Sequence, residues 1–341
     1  MIAILGDIHF SSARDYFIEI GHKIIEWFAN WSYNKKGNEL ILAGDIVHSA
    51  VNGGLVINMI EQLVISSRFD TIHIIPGNHD VKRRDGVVQL AYEFLRSRPC
   101  IKIYDRLTDT VIQGKRVLML PHYIPNGNEV PMTELYSNLH KTHPEAYDLV
   151  VGHFIEETMA FGASDAVKNI SKLKTRHLCL GHLHTRANPN IYIGSVYANK
   201  INEADSSRAA WIIDDSCSKI EDPLPIFCEY QTVQYPEMPV YSNALVRVLT
   251  ITNCTNERLA RMQYGKDIFI RKLVHTLDSK KTDDTQSSDR IQELDPVQLF
   301  RDFIKNRSTV IDRNVAMLCM SLLKKGTNLT YDNGSNSAEV L

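Results

Sequence analysis

Aspartate, asparagine and histidine recur in short segments of this chain, and together they are the donors that hold hard and borderline divalent cations. The segments are Asp7-Ile8-His9, Asp45 after Gly44, Asn78-His79-Asp80 after Gly77, and His182-Leu183-His184 after Gly181, with a single His153 after Gly152. Each follows an apolar run of strand length. Side chains alternate along extended backbone, so Asp7 with His9, and His182 with His184, can each converge on one cavity. One cation is expected on Asp7, His9 and His184, a second on Asn78, His153 and His182, with Asp45 as the bridge between them. Two such ions acidify water and offset charge developing on phosphorus, so the chemistry expected is phosphoester cleavage. His79, next to Asn78, is expected at the rim as a general acid toward the leaving oxygen, with Asp80 orienting its ring.

Each piece alone has an ordinary explanation. A Gly-Asp at a strand end is commonly a turn, and a lone buried histidine is usually a packing residue; the weight lies in the whole set, each member behind an expected strand. The remaining histidines divide on the same ground. His22, His140, His143 and His275 have no such context, His73 and His177 fall inside expected strands as packing residues, and His122 follows Leu120-Pro121, where it could face the cleft.

The elements that must position these residues alternate in kind. Apolar runs at 2–5, 40–43 and 71–75 read as buried strands. Between them, Phe17, Ile20, Ile24 and Phe28 recur at helical spacing, which predicts a helix over 16–28, and further helices are expected at 55–65 and 87–95. This alternation is the pattern of a largely parallel sheet. Closely spaced strands follow at 101–104, 110–112 and 116–120, with Gln113-Gly114-Lys115 as a hairpin turn, then a helix near 134–140 and strands at 148–151, 177–180, 191–193 and 209–213. Residues 1–215 therefore read as one α/β domain of two packed sheets flanked by helices. Prolines at 223, 225, 236 and 239 mark 216–239 as a linker. A strand at 244–252 and a mixed segment at 266–276 fall in a smaller α+β unit over 240–285. Asp295-Pro296 starts a helix with Leu299, Phe300, Phe303 and Ile304 on one face, and a second helix near 315–323 completes a helical region over 286–325. Residues 326–341 are expected to be disordered.

Composition narrows the class. A formal net charge of −2 gives no global signal for nucleic acid, so any polyanion must be met by local patches or by cations. The six cysteines include no Cys-x-x-Cys pair and lie far apart, which argues against a disulfide scaffold or a structural zinc site and for reduced thiols in the cytoplasm. The apolar start, Met1 to Leu5, is only strand length and is not expected to be a signal peptide, and no window approaches the length of a membrane span.

The set Asp-x-His, Gly-Asp, Gly-Asn-His-Asp, His and Gly-His-x-His over residues 7–184 resembles the calcineurin-like metallophosphoesterases. Three further stretches resemble the SbcD-type nuclease subunits of that superfamily, including phage recombination nucleases. They are Gly44-Asp45-Ile46-Val47-His48, Tyr192-Ile193-Gly194-Ser195 followed by Glu203, and Asp295-Pro296-Val297-Gln298-Leu299-Phe300. The resemblance implies a two-sheet β-sandwich flanked by helices, a capping domain at 240–285 that helps set DNA position, and C-terminal helices at 286–325 that dock an SbcC-type coiled-coil ATPase. It implies two divalent ions, Mn²⁺ ahead of Mg²⁺, and a His48 that is no primary ligand but shapes how DNA meets the metals. It also implies exonuclease and endonuclease action in recombination, repair and replication, a homodimer formed through 54–67 or 86–97, and a site of action in the cytoplasm of a bacterium or of a phage's host. Lys82-Arg83-Arg84, directly after the catalytic loop, is the expected phosphate grip. The nearest rival is a cyclic-nucleotide phosphodiesterase or phosphoprotein phosphatase with the same metals. A scaffold with a decayed centre is disfavoured because no ligand position is missing.

Overall fold

The computed structural model describes residues 1–274 apart from 51–52, 85–86, 127–128, 161–165, 204–206, 241–242, 255 and 265–267. The chain divides into two units, Met1–Leu277 and Asp278–Leu341. The helices expected at 286–325, the Asp295–Phe300 motif and the tail at 326–341 lie outside the described residues.

Strand and helix alternate from the start: β1 (Ile2–Leu5), α1 (Asp15–Tyr33), β2 (Glu39–Ala43), α2 (Gly54–Ser66) and β3 (Thr71–Ile75). A hairpin of β4 (Val81–Arg84) and β5 (Val87–Leu90) follows, then β6 (Ile101–Ile103), β7 (Thr108–Ile112), β8 (Lys115–Leu120), α3 (Met132–Ser137) and α4 (Leu139–Thr142). The order continues with β9 (Tyr147–His153), β10 (Thr175–Gly181), β11 (Ala209–Ile213), β12 (Lys219–Pro223), β13 (Cys228–Gln234), β14 (Val246–Thr252), α5 (Glu257–Tyr264) and β15 (Ile268–Val274).

Three sheets carry most of these strands. A six-stranded sheet has the order β12-β11-β1-β2-β3-β6, with β1, β2, β3 and β6 parallel and β11 antiparallel to β1. A four-stranded sheet has the order β10-β9-β8-β7, with β8, β9 and β10 parallel. Its β7–β8 hairpin turns through Gln113 (φ 50°) and Gly114 (φ 72°), the left-handed pair that matches strand twist.

Alternation along the strands decides what each face buries. Ala3 and Leu5 of β1, with Leu40 and Leu42 of β2, join a core built with Ile20, Ile24 and Phe28 of α1 and Met59, Ile60 and Leu63 of α2. The intervening Ile2, Ile4, Ile41 and Ala43 join a second core that also holds Val117, Met119, Leu149, Val151 and Cys179 of the four-stranded sheet. The strands read as unbroken apolar runs because both faces are covered. The outer face of the four-stranded sheet, through Leu118, Leu120, Val150 and Leu180, meets Tyr136 of α3 and Leu139 of α4.

The structure differs from the sequence reading in three places. Residues 87–95, expected to be helical, form β5 and then a short 3₁₀ turn at Glu93–Ser97, because Val87 and Val88 pair across from Arg84 and Arg83. β-Branched residues favour that extended pairing over a helix. The strand expected at 191–193 is reduced to a single bridge between Leu180 and Tyr192, and the chain turns away at Gly194 (φ 79°). The stretch 216–239, read as a linker, supplies β12 at the edge of the six-stranded sheet and β13 of a third sheet. That sheet, β13-β14-β15, is parallel, and α5 packs Ala260 and Tyr264 with Val233, Leu249 and Ile251. No described helix is long and apolar enough to cross a membrane.

Candidate metal centre

The site residues sit where parallel strands end. Asp7 and His9 follow β1, Asp45 follows β2, Asn78 follows β3, His153 closes β9, and His182 and His184 follow β10. Loops at carboxyl ends of parallel strands are where sheets of this kind gather their chemistry. Backbone hydrogen bonds tie two of the loops together: the Asp7 amide donates to the Gly44 carbonyl (3.1 Å) and the His9 amide to the Asp45 carbonyl (2.9 Å).

Four donors hold a left-handed backbone that side-chain-bearing residues seldom adopt: Asp7 (φ 48°), His9 (φ 51°), Asp45 (φ 49°) and His182 (φ 85°). Such conformations persist where surrounding structure fixes them and concentrate at functional sites. Two glycines make the approach feasible. Gly44 has φ 89°, and a Cβ there would fall on the His153 ring; at Gly77 it would fall on the Asp45 carboxylate.

All seven expected donors converge, in two groups that the Asp45 carboxylate faces together. In the first group, Asp7, His9 and His184 offer ligand atoms all within 4.8 Å of one another, and His9 Nε2 lies 2.9 Å from His184 Nε2. In the second, Asn78 Oδ1 lies 3.2 Å from His153 Nε2 and 2.9 Å from His182 Nδ1. Asp45 Oδ2 stands 3.6 Å from His9 Nε2 and 3.3 Å from His153 Nε2, so one atom faces both groups. Each group has an outer support. His153 Nδ1 bonds the Ala43 carbonyl (2.8 Å) and His184 Nδ1 bonds Glu203 Oε1 (3.0 Å). With Nδ1 as donor, each ring turns its Nε2 into the centre.

Electrostatics follows from burying two carboxylates among imidazoles. Burial, with Asp45 adding to it, pushes the Asp7 carboxyl up to about 6. Burial also opposes charge on Asp45, but the facing His153 outweighs it and holds that carboxyl well below the usual range. Burial likewise opposes a proton on His153, yet Asp45 and Asp7 lift its pKa to about 10. His182 is driven down to about 4 by burial and by His153, which favours its neutral, ligating form. The centre thus draws positive charge to His153 Nε2, and a divalent cation competes with that proton for the same lone pair. Two carboxylates, an amide oxygen and four imidazoles in this arrangement fit a pair of divalent cations.

The rim differs in part from expectation. His79 is half-buried beside the centre, its ring 5.1 Å from that of His9. Its Nδ1 bonds the His48 backbone carbonyl (2.7 Å), while its amide donates to Asp45 Oδ1 (2.9 Å). Asp80 does not orient that ring. Its buried carboxylate accepts from the amides of Val47 (3.1 Å) and Gly77 (2.8 Å) and from the Tyr92 hydroxyl (3.1 Å), so it pins the two catalytic loops together. Burial and the nearby Asp45 push the Asp80 carboxyl up to about 7. His48 is exposed, its ring stacked between His79 (5.5 Å) and Phe17 (6.4 Å). Lys82, Arg83 and Arg84 are exposed on β4, but the Arg83 guanidinium is held by the Pro125 carbonyl and by Asn126 Oδ1 (2.9 Å).

Sequence reasoning gave no role to Glu203 or Tyr92. Glu203 entered only as part of a motif, and Tyr92 not at all. Neither lies at a fixed spacing from the group it supports, and only the fold brings them there.

The family model for calcineurin-like phosphoesterases matches residues 1–186, and the chain belongs to that family. It is a metal-dependent phosphoester hydrolase by class, with the ligand-bearing loops lying in the matched region. No curated protein matches the chain. Among solved structures, a protein of unknown function from Aquifex aeolicus is similar over 51% of this chain and 87% of its own, at 14% identity and a TM-score of 0.28.

Proposed function

We propose that this chain is a two-metal DNA phosphodiester hydrolase, the nuclease subunit of an SbcCD-like complex in recombination, repair and replication. The observation that carries the hydrolytic part is the Asp45 oxygen shared by two groups of donors. Asp7, His9 and His184 would hold one cation and Asn78, His153 and His182 the other, with Asp45 facing both. When bound, the two cations, Mn²⁺ or Mg²⁺, supply an acidified water and offset charge on the phosphoryl oxygens. His79 serves as the acid. The contact of its Nδ1 with the His48 carbonyl fixes the ring, which leaves Nε2 to carry the proton for the leaving oxygen. His48 and its stacked neighbours form the surface that meets the strand, with Lys82, Arg83 and Arg84 as phosphate contacts.

Support for the DNA substrate comes from that His48–His79 stack and from the sequence resemblance. The two larger sheets would make the sandwich of the phosphoesterase, β13–β15 with α5 its capping unit, and 286–325 would dock an SbcC-type ATPase, with homodimerisation through 54–67 or 86–97. The decisive experiment incubates the purified protein and Mn²⁺ with linear duplex and with single-stranded DNA, with and without the ATPase. Cleavage is expected; intact DNA in every arm would overturn the assignment. Deleting 286–341 should abolish co-purification with the ATPase while basal phosphoesterase activity persists.

A further inference from the structure

A cavity of about 280 Å³ opens beside the second group of donors, and Asn78, His153 and His182 line it. Most of its other walls are apolar, chiefly Tyr123, Met132 and Phe154. These walls are built into the fold. All three residues are buried, Phe154 lies 5.6 Å from the Tyr136 ring, and the Tyr123 hydroxyl donates to the Val130 carbonyl (2.8 Å), which leaves its ring as apolar surface. His122 and Thr133 add polar groups to the lining.

We propose that this cavity is a subsite for one unpaired nucleobase, that of the nucleotide adjoining the scissile phosphate; the inference rests on the DNA-hydrolase reading. A base has apolar faces and a polar edge, and aromatic or apolar walls accept any base because every base presents such a face. The volume falls just below the range of about 300–1,000 Å³ that takes drug-sized ligands, so it suits one base and not a stacked pair. Its position fixes which base. A phosphate held between the two groups of donors would have one flanking nucleotide on the side of Asn78 and His182, which line the cavity. A base still stacked in a duplex cannot enter.

The test uses the full chain with Mn²⁺ and a single-stranded oligonucleotide holding one phosphodiester among methylphosphonates. An abasic residue is placed in turn on either side of that phosphodiester. On one side only, loss of the base should lower kcat/KM by about tenfold, within the range for a base–aromatic stack. In Met132→Trp, which fills the cavity, the ratio between normal and abasic substrate should shrink toward one. Equal turnover of normal and abasic substrates by the wild-type enzyme overturns the subsite and leaves the DNA reading intact. Hydrolysis of bis-(p-nitrophenyl) phosphate with no cleavage of either oligonucleotide overturns the DNA reading and the subsite with it.

Discussion

The two halves of the centre are built from the same donor types but are supported differently. His184 is backed by a buried carboxylate, Glu203, which also accepts from the amides of Asn199 (2.8 Å) and Lys200 (3.3 Å). His153 is backed by the backbone carbonyl of Ala43, the last residue of β2. A carboxylate raises the basicity of the imidazole it holds more than a carbonyl does, so the first half should bind its cation more tightly. The carbonyl is part of a strand and cannot be removed by substitution. One half is therefore tunable by mutation from behind and the other is fixed by the sheet.

The strongest way to erase the comparison is Asp45→Ala, which removes the oxygen both halves share. Both cations should be lost together, and phosphodiesterase activity should fall by on the order of 10⁴-fold, since each cation supplies several kcal/mol of charge stabilisation. Metal content by mass spectrometry checks this. Retention of one full equivalent would mean that the halves are independent. His79→Ala should leave both cations in place and lower kcat by about 10²- to 10³-fold, with the loss smallest for substrates whose leaving group needs no proton, such as a nitrophenolate. Loss of metal in that variant would move His79 from acid to ligand.

Glu203→Gln separates the halves. It keeps a hydrogen-bond acceptor for His184 Nδ1 but removes the charge. One of the two binding steps should weaken by about 10- to 100-fold and the other should barely move. Two unequal steps in a Mn²⁺ titration of the wild type, brought closer together or reversed in order by Glu203→Gln, are the expected pattern; equal weakening of both steps would show that the support is shared.

How much of this was legible before the fold follows from what sequence patterns encode. The ligand loops could be read because each donor sits at, or within four residues of, the end of an apolar strand, and strand ends are visible in composition. The alternation of Ala3 and Leu5 against Ile2 and Ile4 could not assign faces by itself, because both faces of β1 are apolar. The β4–β5 hairpin was hidden because Val87 and Leu90 also suit a helix, and only the pairing with β4 decides. The role of Asp80 was misjudged for a related reason. Adjacency to His79 suggested a partnership, but neighbouring residues at a turn point apart, and the carboxylate turns inward to backbone amides. The stretch over 216–239 is proline-rich, yet its prolines lie at or beyond the ends of β12 and β13 rather than inside the paired runs, where a missing N–H would cost a ladder bond.

The smallest expected effect tests the support behind the second half. Tyr92 donates to Asp80 Oδ2, the oxygen that also accepts from the Gly77 amide, and Gly77 immediately precedes Asn78. Tyr92→Phe removes one hydroxyl and no packing volume of consequence, so folding stability should fall by about 1 kcal/mol, read from chemical denaturation. Asp80 keeps two backbone donors, and the loop should stay in place. The consequence for metal should therefore be confined to a small weakening at the Asn78 group, with the His184 group unchanged. The outcome that breaks the comparison is a change at the His184 group instead, since no hydrogen bond of Tyr92 or Asp80 reaches that group among the described residues.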